Sequence, residues 1–128
     1  KALCDRLRAP VECRELAEVV AREHGHIHQS ASLGAAALLR LLERCDAIRK
    51  PGRFQEVLLA CEADARGRLG FEQATYPQGL RLRKALELAL AADANGAAQD
   101  AVARGLKGPA IGDAIRHVRE AALKPLSD

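Results

Sequence analysis

The chain has to build a hydrophobic core almost without rings. Of its 128 residues 48% are hydrophobic, yet only 2% are aromatic. The rings are Phe54, Phe71 and Tyr76, so alanine, leucine and valine must fill the interior. Small side chains and leucine favour closely spaced helices, and the β-branched and aromatic residues that fit a pleated sheet are sparse. The expected class is all-α, a compact helical bundle of about six to seven helices by its 3.6-residue periodicity. A chain of this length fits one domain of ordinary size.

The pattern can be followed along the chain. Residues 1–8 read as the last turns of a helix, broken at Ala9-Pro10. A helix is expected over 11–24, with Leu16, Val19 and Val20 on one stripe and Gly25 as its stop. Ser30 or Ser32 can cap the next helix. Its buried face runs through Leu33, Ala37, Leu38, Leu41, Leu42, Cys45 and Ile48. Pro51-Gly52 separates it from a helix over 54–66, with Val57, Leu58 and Cys61 inward. A loop over 67–77 follows, then a helix over 78–92 closed by Asn95-Gly96. Two further helices are expected over 97–104 and 110–123, the last with Ile111, Ala114, Ile115, Val118 and Ala122 inward.

Twenty Lys and Arg against 17 Asp and Glu give a formal charge of +3. That is mildly basic and does not by itself announce nucleic acid. No apolar stretch has spanning length and no signal-peptide pattern is present, so neither membrane nor secretion is expected. Cys4, Cys13, Cys45 and Cys61 lie singly, without a CxxC pair, and read as reduced thiols of a cytoplasmic protein. Methionine is absent even at position 1, which reads as a piece of a longer protein.

Polar chemistry concentrates in residues 62–79, where Glu62, Asp64, Arg66, Arg68, three glycines and two of the three aromatics gather. Glu62 and Asp64, two apart on a helix, face different sides and make a poor chelating pair. Arg66, Arg68 and Arg81, with backbone amides freed by Gly67 and Gly70, could cradle phosphate, or form a solvated charged face. Tyr76 could stack on a base or plug the loop onto the core. Outside the run, His24, His26 and His28 could present imidazoles to a divalent metal, or form a solvated helix end. His24 and His28 share a face only if the helix continues through Gly25. Asp46, beside apolar positions, implies either a metal or an ion pair with Arg49, Lys50 or Arg53. The glycines of 105–112 precede a helix N-terminus that could attract phosphate, or allow close helix packing.

These residues also carry a resemblance. Arg6-Leu7-Arg8-Ala9-Pro10, Ala21-Arg22-Glu23-His24-Gly25, the stretch Cys45-Asp46-Ala47-Ile48-Arg49-Lys50-Pro51, residues 62–68, Gly70-Phe71-Glu72, Tyr76-Pro77-Gln78-Gly79 and Gly105-Leu106-Lys107-Gly108 occur in one order. In that order they resemble the C-terminal half of the bacterial multifunctional CCA protein family, a tRNA nucleotidyltransferase with an appended HD phosphohydrolase domain. The resemblance covers nearly the whole chain, and the string over 62–79 is its most specific part. It implies residues 1–66 as the distal part of an HD-like region and residues 67–128 as a helical tail.

The resemblance further implies an enzyme that restores the 3′ CCA end of tRNA from CTP and ATP with Mg²⁺. Its HD part is associated with phosphatase, 2′-nucleotidase and 2′,3′-cyclic phosphodiesterase activities that use Ni²⁺ or another transition metal. His24 matches the later histidine of such a region, His28 a second one, and Asp46 an acid near its final metal-binding aspartate. No His-Asp doublet and no head-domain carboxylate motif occur in the sequence. An incomplete site without autonomous catalysis is therefore expected of this chain. Arg66, Arg68, Tyr76 and Arg81 are the residues expected to face tRNA. The competing readings are a non-catalytic helical module that grips tRNA and a surface for homodimerisation.

Overall fold

The computed structural model describes residues 10–67 and 76–126. Among them are six α-helices: α1 (Pro10–His28), α2 (Ala35–Arg44), α3 (Pro51–Arg66), α4 (Pro77–Ala91), α5 (Ala94–Ala103) and α6 (Pro109–Leu123). Short 3₁₀ turns follow α1 (Ser30–Ser32) and α6 (Lys124–Leu126). The chain is an all-α bundle, as its alanine-leucine core requires.

Helix α1 packs along α3, and α2 packs against both α4 and α6. Helix α4 touches α2, α3 and α6, which places it centrally. One buried cluster joins Leu16, Val19 and Ile27 of α1, the leucines of α2, the Phe54, Val57, Leu58 and Cys61 stripe of α3, Leu82 to Ala89 of α4, and Leu123 of α6. Helix α5 packs on α6 outside that cluster and buries Ala101.

Several boundaries differ from the sequence expectation, each for a local reason. Helix α1 does not stop at Gly25 but runs on to His28. Glycine in a helix interior costs about 1 kcal/mol. Ile27, which the extra turn buries completely, returns about 1.5–3 kcal/mol. Ser30 does not cap α2. It is buried, and its hydroxyl donates to the Ile27 carbonyl at 2.7 Å, closing α1 instead. The N-cap of α2 is Gly34, which offers no side-chain acceptor.

Helix α2 ends at Arg44, before Cys45 and Ile48. The Ala47 amide bonds the Leu42 carbonyl at 2.9 Å and the Asp46 amide bonds the Glu43 carbonyl at 3.0 Å. These two bonds form a Schellman motif, which puts Asp46 at the left-handed position, φ +56°. The turn after α5 repeats the motif with a glycine there, Gly105 at φ +85°. Asn95-Gly96 does not close α4; it lies in the first turn of α5, where the Gly96 amide donates to the Asp93 carboxylate at 2.9 Å. A Cβ on Gly96 would collide with that carboxylate. On α6 the expected stripe of Ile111, Ala114, Ile115, Val118 and Ala122 is only half-buried, and Leu123 alone is fully covered. The short, alanine-rich α5 covers that face incompletely.

Candidate functional site

The end of α1, the end of α3 and the start of α4 meet at His28. The extra turn of α1 brings the His24 and His28 rings edge to face, with centroids 5.9 Å apart. The Tyr76 hydroxyl lies 2.8 Å from His28 Nδ1, and Asp64 Oδ2 lies 3.4 Å from His28 Nε2. The Gln78 side-chain amide donates to the His28 carbonyl at 2.8 Å. The carboxylate can only accept, so in the neutral ring Nε2 carries the proton and Nδ1 accepts from the phenol. Tyr76 remains a phenol: burial raises its pKa well above the ordinary value, and Cys61, Asp64 and Glu62 raise it further. His28 thus ties the residues on either side of 68–75 to the end of α1. Tyr76 is 6% exposed, and its ring plugs the core.

His24 is arranged differently. It is exposed, and its Nδ1 lies 3.1 Å from the Val20 carbonyl and 3.2 Å from the Ala21 carbonyl. Carbonyls only accept, so Nδ1 bears the proton and Nε2 presents its lone pair outward, the arrangement of a metal-ligating histidine with a backbone partner. Asp46 does not complete a site with it. Its carboxylate pairs with Arg49 at 3.6 Å, while Lys50 and Arg53 turn to Glu15. Among the described residues no group of three or more His, Cys, Asp or Glu side chains could hold a metal ion. Of the three expected ligands, His24 presents an outward donor, whereas His28 faces Tyr76 and Asp64 and Asp46 faces Arg49.

Glu62 and Asp64 do point to different partners. Glu62 accepts from Arg66 at 2.7 Å and faces Arg83 at 3.8 Å, whereas Asp64 faces His28. Arg81 is half-buried and donates to the Leu33 carbonyl at 2.6 Å. Arg68 lies outside the described residues. Cys45 and Cys61 are buried thiols, pushed up to about 12 and about 11 by desolvation above all.

One residue escaped the sequence reading. Glu23 is fully buried and holds two guanidiniums: Arg22 Nε donates to its Oε2 at 2.9 Å, and Arg44 donates to the same oxygen through Nε at 3.2 Å and Nη2 at 3.1 Å. Leu16, Val19, Glu23 and Ile27 follow one another at helical spacing, so the buried stripe itself was the available signal. Arg22 also donates to the Arg44 carbonyl at 3.0 Å and Arg53 to the Cys45 carbonyl at 3.0 Å, so two cations meet the negative end of α2.

The chain is 63% identical over 122 residues to the multifunctional CCA protein of Paracidovorax citrulli, covering 95% of this chain and 29% of that protein. It is 62% identical over 130 residues to that of Variovorax paradoxus, covering 98% and 30%. It is 58% identical over 123 residues to that of Cupriavidus metallidurans, covering 96% and 29%. The chain belongs to the multifunctional CCA protein family. It corresponds to the C-terminal part of its members and spans about three tenths of the length of the curated relatives it matches. No family model matches the chain, and no solved structure matches it. No helix among the described residues is long and apolar enough to cross a membrane.

Proposed function

We propose that the chain is the distal helical portion of a CCA-adding tRNA nucleotidyltransferase that also carries HD-type metal-dependent phosphohydrolase activity. The observation that carries this reading is identity of 63% and 62% to proteins named multifunctional CCA protein across nearly the whole chain. In this reading the longer protein works on tRNA with CTP and ATP, uses Mg²⁺ for nucleotidyl transfer, and hydrolyses phosphate monoesters, 2′-nucleotides and 2′,3′-cyclic phosphates at a site holding Ni²⁺ or another transition metal. His24 is this chain's readiest contribution to that site, and His28 and Asp46 join it on leaving the Asp64 and Arg49 contacts they make here. The outward Nε2 of His24 suits it as a ligand, and the remaining donors come from elsewhere in the longer protein. A bound metal would activate water against a phosphate ester. The chain alone is inactive.

The test is CCA addition by the longer protein on tRNA lacking its 3′ end, with CTP and ATP supplied. Incorporation is expected, and none would end the reading. In the same protein Asp46→Ala should abolish metal-dependent phosphohydrolysis and spare CCA addition; unchanged hydrolysis removes Asp46 from the site. A second reading is a non-catalytic module that grips tRNA. It assigns the grip to Arg66, Arg68, Tyr76 and Arg81. Wild-type tRNA affinity across salt in an Arg66→Ala, Arg68→Ala double variant would count against it. A third, homodimerisation, predicts self-association of the 128 residues; a monomeric mass in light scattering counts against that.

A further inference from the structure

We infer that Arg22, Arg40 and Arg44 form a phosphate-binding ridge that receives the sugar-phosphate backbone of tRNA, an assignment that rests on the tRNA reading above. Arg22 and Arg44 donate to the same oxygen of Glu23, at 2.9 and 3.2 Å through their Nε atoms, so their guanidiniums sit side by side. The carboxylate that fixes them is fully buried, whereas the two arginines are 53% and 47% exposed. The negative charge therefore lies beneath the surface and the positive charge on it. Arg40 stands one turn before Arg44 on the same face of α2. It is exposed and has no hydrogen bond or ion pair among the described residues. The three cations stand over the buried Glu23, and the neighbouring Glu43, three positions after Arg40, is taken by Arg116 at 3.2 Å.

Each arginine of the pair retains its Nη1 donors. None of the described residues takes the Nη1 of Arg22 or of Arg44. Arg22 is already held at two points, Glu23 and the Arg44 carbonyl. An exposed arginine loses rotamer freedom when it grips a phosphate; a guanidinium fixed in advance loses less. The partner is a phosphate backbone rather than a protein. Protein interfaces centre on aromatic and apolar anchors, and the exposed large hydrophobics Val11, Leu59, Leu80, Leu90 and Val102 lie neither on α2 nor on the second half of α1. The ridge also contains no lysine, and the planar guanidinium fork matches phosphate geometry.

The experiment measures tRNA binding to the chain by anisotropy from about 50 to about 200 mM salt. Arg40→Gln removes a side chain with no structural partner, so the fold is retained. It should weaken binding about three- to tenfold and flatten the slope of log K against log salt by about 0.7–0.9, one phosphate contact. Arg40→Glu should do more. Lys124→Gln, an exposed cation on the 3₁₀ turn after α6 without a side-chain partner among the described residues, is the control for net charge and should change the slope less. An Arg40→Glu chain with wild-type affinity and slope overturns the inference, as does a loss matched by Lys124→Gln. Absence of tRNA binding by the wild-type chain at low salt overturns it too, and so does polyglutamate competing as well as tRNA at equal charge. CCA addition by the longer protein is read separately: its failure removes the reading above, while normal addition with an indifferent Arg40→Glu removes only the ridge.

Discussion

Removing Arg44 should destabilise the chain more than removing the carboxylate it holds. Glu23 is fully buried, whereas Arg22 and Arg44 keep about half of their surface in water. In Arg44→Ala the carboxylate stays buried and loses the two nitrogens at 3.1 and 3.2 Å. Arg22 remains at 2.9 Å and His26 at 3.5 Å. An under-compensated buried charge of this kind costs about 3–5 kcal/mol. In Glu23→Gln no charge is stranded, because both guanidiniums can hydrate, and the amide oxygen still accepts. Charge-assisted bonds become neutral ones, at a cost of about 1–2 kcal/mol. In the double variant Arg44 is missed less, since no buried charge depends on it, and the double cost should fall short of the sum by about 2 kcal/mol. Urea unfolding of the four chains, followed by helix circular dichroism, gives the cycle directly if the m-values agree. If Arg44→Ala proves cheaper than Glu23→Gln, or the cycle is additive, the buried carboxylate does not depend on Arg44 and the reasoning fails.

Asp46→Gly should stabilise the chain by about 0.5–1 kcal/mol, because a non-glycine residue at positive φ is strained and the lost Arg49 pair, at 3.6 Å, is worth little on the surface; an unfolding midpoint below wild type would contradict this. A variant that is more stable yet loses phosphohydrolysis in the longer protein would mark Asp46 as retained for chemistry. The thiols of Cys45 and Cys61, at about 12 and about 11 when folded against 9.0 ordinarily, keep their protons in the fold after an unfolded chain has lost them. Folded pKa values are raised, so the stability is fully present below about pH 9 and falls as pH rises toward 12; Cys45→Ala should flatten that alkaline decline, and an unaltered one would refute the assignment. Tyr76→Phe keeps the buried ring but leaves His28 Nδ1 without its 2.8 Å partner, and should cost about 1–2 kcal/mol; a neutral substitution in thermal unfolding would show that the hydroxyl does not lock the end of α1.

How far the sequence could be read differs from residue to residue. The α3 stripe of Val57, Leu58 and Cys61 is buried as its spacing predicts, because periodicity reports which face of a helix must leave water. Gly25 was misleading for the same reason that it is permissive: glycine signals a stop only where nothing beyond it needs burial, and Ile27 does. Ser30 and Asn95-Gly96 carry capping chemistry, but a cap can close the helix before it or open the one after, and local sequence does not choose. Asp46 was visible as an acid among apolar neighbours, whereas its left-handed backbone follows from a Schellman turn that only the paired carbonyls reveal.

The sequence by itself determined the class and the kinship. A core of alanine and leucine with almost no rings leaves helices as the way to bury apolar surface, and the ordered string over 62–79 marks the family. Tertiary structure decided which polar groups work together. His28 meets Asp64 and Tyr76, 36 and 48 positions further along the chain, and Glu23 gathers an arginine from its own helix and one from α2. Such pairings depend on how helices cross, a property set by the packing of all their faces at once and carried by no single stretch of residues.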